Sequence, residues 1–228
     1  MKNTRIAEKF INSLLIPNAV KLLSRVVSQE KIIFFLEKLF PQRDLAKWKH
    51  AKENKQWGTN LFAKMDRKGN IHLKEIVNLC KNKNSRILDL GCNQGRYLKA
   101  LKKQGYKNLT GVDIGVEATN LAKKSPALNK VLIVNESFYS FLSNTPDLDY
   151  EVTYSRGATL ELVPSFLPIV REICRVTRYS VALLIQENGH SFPRFWEYEF
   201  NQSGFHSAKI YRPVLPQDEA SLLIFHRK

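Results

Sequence analysis

The sequence has few cysteines, no long apolar run and no cysteine pair with metal-ligand spacing. Cys80, Cys92 and Cys174 are the only cysteines among 228 residues. An odd number without a C-x-x-C pair argues against a disulfide framework and favours a reducing compartment. The apolar run IIFFL at 32–36 is far shorter than the roughly 20 residues of a spanning helix, and no cleavage pattern follows it. We therefore expect a soluble cytoplasmic protein without a transmembrane segment.

Acidic residues are also scarce, and the shortage is local. The chain has 36 Lys and Arg against 21 Asp and Glu, a net charge of +15. Up to Arg86 there are 19 basic and 7 acidic residues, or +12, whereas residues 87–228 contribute only +3. A basic segment of this kind suits RNA, an anionic membrane or a phosphorylated substrate. An ordinary solvated helical face is the alternative.

The basic part, residues 1–70, is predicted to form a helical N-terminal extension or cap. Apolar residues recur at helical spacing between Asn18 and Phe40, with Asn18 as the expected N-cap and Pro41 ending the helix. The apolar face of this helix is expected to pack on its own domain. Binding to a membrane surface is the alternative, because basic residues lie beside a Phe-rich face.

After Ser85 the pattern changes to short apolar runs that alternate with helical stretches. The runs are RILDL, NLTGVDI, KVLIVN, EVTYSR and SVALLIQ. This alternation predicts an α/β fold with a parallel sheet flanked by helices. The last two runs, FHSAKIYRPV and SLLIFHRK, have no room for a crossover helix between them. They are therefore predicted to form an antiparallel strand pair.

The stretch RILDLGCNQGRYLKAL, residues 86–101, leads from a strand through two glycines into a helix. Gly91 and Gly95 allow a nucleotide to approach the backbone closely. The dinucleotide pattern G-x-G-x-x-G would need glycine where the chain has Asn93 and Arg96, which disfavours NAD. The sequence contains no phosphate-binding string G-x-x-x-x-G-K-[ST] either.

This stretch resembles the first motif of class I S-adenosylmethionine-dependent methyltransferases, acidic-x-G-x-G-x-G. Asp89, Gly91 and Gly95 occupy three of its four positions, and Asn93 replaces the middle glycine. Asn tolerates left-handed backbone better than most residues, so a positive φ or a side chain directed at the donor is expected there. The resemblance covers about residues 74–228. It implies a Rossmann-like, doubly wound, mostly parallel seven-stranded sheet, with residues 71–228 as the methyltransferase domain.

The resemblance also implies which residues hold the methyl donor, S-adenosylmethionine. Asp113 corresponds to the acidic residue that binds the ribose hydroxyls, and the neighbouring Ile114 to a residue that packs on adenine. Either Asn135 or Glu136 corresponds to the residue that holds the adenine amino group. The complete set of donor-site residues predicted in this way is Asp89, Gly91, Cys92, Asn93, Gly95, Asp113, Ile114, Asn135, Glu136, Ser137 and Ser155.

The implied reaction is an in-line displacement that leaves S-adenosylhomocysteine and requires no metal. The enzyme chiefly aligns the acceptor and, for a hydroxyl acceptor, removes its proton. His190, Glu187 and Glu161 are candidate bases, and Arg156 is a candidate for holding an anionic substrate. The alternatives are a loop histidine, ion-paired or exposed carboxylates and a rim charge.

The acceptor is less constrained than the donor, because the fold fixes only the donor. A small metabolite, a sugar or a lipid-linked molecule fits a compact catalytic domain with a helical cap and is preferred. RNA or tRNA is the alternative that the basic N-terminus supports, although no accessory RNA-binding module is recognisable. A non-catalytic scaffold subunit with a methyltransferase fold is a third hypothesis, disfavoured because a scaffold needs no ribose-binding carboxylate.

Overall fold

The fold was analysed in a computed structural model, which describes residues 2–28, 31–33, 35–36, 49, 65–157, 160–187 and 191–228. Its helices are α1 (Lys2–Phe10), α2 (Ile16–Leu23), α3 (Arg67–Leu79), α4 (Arg96–Lys103), α5 (Val116–Lys124), α6 (Phe138–Ser143), α7 (Ile169–Val176) and α8 (Trp196–Gln202). A π-helical turn, Ile11–Leu15, joins α1 to α2, and short 3-10 turns cover Pro126–Leu128 and Leu160–Leu162.

In the described part of the chain, seven strands form one sheet, and each lies where the sequence predicts one. They are β1 (Arg86–Leu90), β2 (Asn108–Asp113), β3 (Leu132–Asn135), β4 (Tyr150–Arg156), β5 (Thr177–Ile185), β6 (Phe205–Tyr211) and β7 (Ser221–Arg227). Their order in the sheet is β3-β2-β1-β4-β5-β7-β6. The first five pair in parallel, whereas β7 is antiparallel to both β5 and β6. The predicted fold class is therefore confirmed.

Buried side chains form one hydrophobic cluster on each face of the sheet. Within β5, Val181 and Leu183 belong to one cluster and Ala182 and Leu184 to the other. This separation follows from the two-residue period of a strand. Because both faces are covered, the central strands read as continuous apolar runs, which is why the sequence identifies them so clearly.

The N-terminal helices differ from the prediction. The chain is already helical from Lys2, so Asn18 lies inside α2 and does not cap a helix, and a turn follows α2 at residues 24–27. Pro17 explains part of the difference, because proline lacks an N–H and disturbs the preceding helical turn. The π-helical turn immediately before α2 absorbs this disturbance. Phe40 and Pro41 lie outside the described residues.

The π-helical turn fixes the N-terminal segment to the rest of the fold. The Asn12 side-chain amide donates to the Pro193 carbonyl at 2.9 Å, and the Ser13 hydroxyl donates to Glu199 at 2.7 Å. Val20 also joins the hydrophobic cluster that covers one face of the sheet. The N-terminal segment therefore packs directly beside the loop that precedes α8. Among the described residues, no helix is both long and apolar enough to cross a bilayer.

Candidate active site

The candidate site begins at the loop between β1 and α4, residues 91–95. Three alternating residues of this loop have positive φ: Gly91 at 87°, Asn93 at 49° and Gly95 at 74°. The left-handed conformation that the sequence predicts for Asn93 is therefore present. Its side chain turns back and accepts the Gln94 N–H at 2.7 Å, so the backbone conformation explains why Asn is tolerated at the middle glycine position.

All five backbone N–H groups of this loop donate within the protein. Their acceptors are the Val112 carbonyl for Gly91 and Cys92, Asp113 Oδ2 for Asn93, Asn93 Oδ1 for Gln94 and the Cys92 carbonyl for Gly95. A pyrophosphate would need such N–H groups to be available. Because all five are already paired, the loop is a poor site for the pyrophosphate of a dinucleotide.

Asp113 lies at the end of β2 beside this loop, and both of its carboxylate oxygens are oriented by backbone donors. Oδ2 accepts the Asn93 N–H at 2.9 Å, and Oδ1 accepts the Gly115 N–H at 2.7 Å. Burial raises the pKa of Asp113, and these two hydrogen bonds oppose that rise. A carboxylate has about four lone-pair positions, so each oxygen retains acceptor capacity for a ribose hydroxyl.

Asp89 lies below the loop in β1, on the face of the sheet that α3 and α4 cover. Its side chain is 3% exposed, and burial raises its pKa to about 7. Nearby, His72 Nδ1 lies 3.2 Å from the Tyr97 hydroxyl, and burial lowers the pKa of His72 to about 3, so this imidazole is neutral. The Asp89 carboxyl thus lies beneath the loop at residues 91–95 with a pKa that burial raises toward neutral.

The end of β3 brings three predicted donor-site residues to the same edge of the sheet. The Asn135 amide donates to the Asp113 carbonyl at 3.0 Å. Glu136 accepts a hydrogen bond from the Ser140 hydroxyl at 3.1 Å, and Ser137 caps α6. The Ser137 hydroxyl therefore serves as a helix cap. Asn135 and Glu136 stay the two predicted alternatives for binding the adenine amino group.

Two predicted residues of β4 make structural contacts. The Ser155 hydroxyl is buried and donates to the Leu90 carbonyl at 2.8 Å, which ties β4 to β1. Arg156 forms an ion pair with Asp66, the N-cap of α3, at 2.5 Å. The ion pair of Arg156 therefore holds the start of α3 against the carboxyl end of the sheet, near the loop at residues 91–95.

Glu161 lies in the 3-10 turn after β4 and is fully buried. Its Oε1 accepts the N–H of Gln186, just after β5, at 2.9 Å. Its Oε2 has no hydrogen-bond partner in the described part of the chain. Burial raises the pKa of Glu161 to about 8. The carboxyl is thus held between the carboxyl ends of β4 and β5 and is largely protonated at pH 7.

A cavity of about 440 Å³ opens beyond β5, at the same edge of the sheet. Glu187 lines it and accepts two hydrogen bonds from Arg212, at 2.5 and 2.9 Å. Three cations and three acidic residues share its wall: Lys9, Arg194, Arg212, Glu187, Asp218 and Glu219. His190, the remaining predicted base, lies outside the described residues.

Sequence reasoning missed Lys9, Arg194 and Arg212 as parts of this cavity. Arg194 is 1% exposed and pairs with Glu199 at 3.1 Å, and its Nε has no hydrogen-bond partner within the described ranges. No local motif marks these residues, because they come from α1, the loop before α8 and the end of β6. Within the same ranges, no group of three or more His, Cys, Asp or Glu side chains is arranged to hold a metal ion.

The comparisons with known proteins agree with this geometry. Residues 87–180 match a family model described as a methyltransferase domain, whereas a search of curated proteins finds no match. A TehB-like S-adenosylmethionine-dependent methyltransferase from Corynebacterium glutamicum is similar in structure. It has 17% sequence identity and a TM-score of 0.56, and the match covers 69% of this chain and 88% of that protein.

Two further solved structures are similar over comparable lengths. A ribosomal protein L11 methylase from Lactobacillus delbrueckii subsp. bulgaricus has 16% identity and a TM-score of 0.54, covering 72% of this chain and 80% of that one. A chain in a complex with the Haloferax volcanii Trm112 methyltransferase activator has 14% identity and a TM-score of 0.56, covering 74% and 95%. At these identities the structural similarity establishes the fold.

Proposed function

We propose that this chain, of which residues 87–180 match a methyltransferase domain, is a class I S-adenosylmethionine-dependent methyltransferase that methylates a small metabolite, a sugar or a lipid-linked acceptor. The structurally similar methyltransferase from Corynebacterium glutamicum is S-adenosylmethionine-dependent, which supports the same methyl donor here. The observation that carries the acceptor proposal is the cavity of about 440 Å³ beside β5. Its size suits a small molecule or a headgroup.

The charges of the cavity favour such an acceptor over RNA. Glu187, Asp218 and Glu219 face three cations across it, so its wall is not uniformly positive. An RNA backbone requires a continuous basic surface, and these carboxylates would repel it. A small polar molecule that carries its own donors and acceptors is compatible with both signs of charge.

The cavity lies within reach of the donor loop. β5 pairs with β4 and β4 with β1, so about 10 Å separates β1 from β5 across two strand spacings. Ser221 begins β7 opposite Ile185, the end of β5, which places the cavity at the edge where β1 and β2 also end. An acceptor that occupies the cavity can therefore extend over β4 toward the donor.

We assign the donor contacts to the loop and to Asp113. When bound, S-adenosylmethionine would supply a sulfonium methyl group for in-line transfer to the acceptor atom, with S-adenosylhomocysteine as the product. Asp113 would accept the ribose hydroxyls, and the loop at residues 91–95 and Asp89 would lie near the rest of the donor. Because the donor is already activated, alignment accounts for most of the protein's contribution.

We propose Glu161 as the group that accepts the proton of a hydroxyl or ammonium acceptor. Because Glu161 is fully buried and outside the cavity wall, this role requires the acceptor to reach between the carboxyl ends of β4 and β5. Glu187 accepts two hydrogen bonds from Arg212, and Arg156 is ion-paired with Asp66. These contacts disfavour Glu187 as a base and Arg156 as a substrate-binding group. Glu161 keeps one oxygen without a partner in the described part of the chain. Its raised pKa brings it near the pH at which a general base is most effective.

Changing Glu161→Gln tests this assignment through the pH profile of methyl transfer. A base must be deprotonated, so the rate of the wild type should rise with pH until about 8, the pKa of Glu161. The variant should lose roughly 100-fold in kcat and also lose that rising limb. Glu151→Gln is the matched control, because Glu151 accepts a hydrogen bond from Ser85 at the opposite edge of the sheet. An unchanged profile in Glu161→Gln would exclude Glu161 as the base.

The acceptor class is tested by transfer of labelled methyl from S-adenosylmethionine into an extract of the protein's own cells. We expect label in the small-molecule or lipid fraction, and none with Asp113→Ala. Label that ribonuclease destroys would instead support the RNA hypothesis. Donor binding without transfer into any fraction would support the scaffold hypothesis.

The cytoplasmic location remains part of the proposal, and it is supported by three free thiols.

A further inference from the structure

The N-terminal helices expose a row of aliphatic side chains, which we call the N-terminal stripe. It consists of Ile11, Leu15, Leu22 and Val26, which are 43, 52, 61 and 88% exposed. Ile11, Leu15 and Leu22 lie on one side of the helical segment by their spacings of four and seven residues, and Val26 follows in the turn after α2. Soluble proteins expose single apolar residues routinely, but a continuous row indicates a binding surface.

The opposite side of the same segment is anchored to the protein. Asn12, Ser13 and Val20 are buried, and the first two hydrogen-bond to Pro193 and Glu199. The segment is thus held in a fixed orientation with its stripe facing outward. Because buried polar contacts set this orientation, the segment cannot rotate to bury the stripe against its own domain without breaking them.

Two cations lie beside the C-terminal half of the stripe, whereas Lys9 lies at the cavity, 4.0 Å from Glu187. Lys21 and Arg25 are exposed next to Leu22 and Val26. Aliphatic side chains beside exposed cations are the combination by which amphipathic helices bind at anionic lipid headgroups.

We propose that the N-terminal stripe docks on the surface of an anionic lipid bilayer. A second copy of the chain fits less well, because symmetric packing of this segment would bring like charges together. RNA also fits less well, because single-stranded RNA is bound by stacking on several aromatic rings, whereas the stripe is aliphatic and residues 2–28 contain one aromatic residue, Phe10. Of these three partners, an anionic bilayer is the one that binds both the aliphatic side chains of the stripe and the cations beside it.

The stripe and the cavity belong to one continuous part of the molecule. Lys9 lines the cavity at the end of α1, and Ile11 begins the π-helical turn two residues later. Docking through the stripe would therefore hold the cavity near the headgroups. This consequence for the acceptor rests on the proposed function, whereas docking itself does not.

Sedimentation of the full chain with vesicles tests the proposal. We expect binding to vesicles of phosphatidylglycerol and phosphatidylcholine, little binding to phosphatidylcholine alone, and a decrease when salt is raised. Leu15→Gln with Leu22→Gln should weaken binding at least roughly tenfold. The matched control is Leu121→Gln with Leu132→Gln, because these leucines are 41 and 56% exposed on α5 and β3. The control should bind as the wild type does.

Three results would overturn the proposal. The first is wild-type protein that stays in the supernatant with anionic vesicles, and the second is equal binding by the stripe and control variants. The third is a concentration-dependent dimer that the stripe variant dissolves, since this would identify a second copy as the occupant. Binding of S-adenosylhomocysteine, measured on the same preparations, should be unchanged in both variants. Its loss would reveal a folding or donor-site defect independent of docking.

Discussion

Asp113→Ala should weaken the binding of S-adenosylhomocysteine by at least about 100-fold, measured by calorimetry. The carboxylate is oriented by the N–H groups of Asn93 and Gly115 and faces the expected position of the ribose. Hydrogen bonds to a charged group contribute roughly 1.5–3 kcal/mol each. The loss of two therefore amounts to two or more factors of ten in affinity.

A ligand comparison separates ribose contacts from general damage to the loop. An analogue of S-adenosylhomocysteine that lacks both ribose hydroxyls should bind the wild type and Asp113→Ala almost equally. Asp149→Ala is the control for charge, because Asp149 pairs with Arg86 at the other edge of the sheet. Affinity within threefold of wild type in Asp113→Ala would show that this carboxylate does not bind the ribose.

Gly95→Ala should destabilise the protein by about 2–5 kcal/mol and reduce donor binding. Two effects combine: the left-handed conformation at φ 74° costs a residue with a Cβ about 1–2 kcal/mol, and overpacking costs about 1–3 kcal/mol. The added Cβ would lie 2.5 Å from Leu128 Cδ1, and Leu128 is buried. Urea unfolding measures the loss.

Gly105→Ala isolates the backbone contribution. Gly105 also has a positive φ, 91°, but a Cβ there would meet nothing within 4 Å. We therefore expect Gly105→Ala to lose only the conformational part, about 1–2 kcal/mol. The second substitution Leu128→Ala should recover part of the stability lost by Gly95→Ala. Equal losses at Gly95 and Gly105 would mean that contact with Leu128 does not constrain the loop.

Particular elements show how far the sequence could be interpreted. The strand RILDL coincides with β1, Arg86–Leu90, and the predicted C-terminal antiparallel pair is formed by β6 and β7. The positive φ of Asn93 was also predictable from the motif. These features depend on residues close together in the sequence, whose alternation and turn preferences are local properties.

The N-terminal helix shows where local reasoning failed. Apolar periodicity predicted a helix beginning at Asn18, but the chain is helical from Lys2 and has a π-helical turn before α2. Pairing of Asn12 with Pro193 and of Ser13 with Glu199 stabilises this turn. Those partners lie more than 180 residues away in the sequence, so no window of neighbouring residues contains the information.

The sequence by itself determined the strands of the sheet and the left-handed loop between β1 and α4, because a strand, a turn and a helix that follow one another carry their own pattern. Only the tertiary structure decided the cavity beside β5 and the outward orientation of the N-terminal stripe. The cavity joins Lys9, Arg194 and Arg212, which meet because α1, the loop before α8 and the end of β6 pack at one edge of the sheet. Packing between distant segments depends on the shape and burial of whole surfaces, and a linear pattern does not encode it.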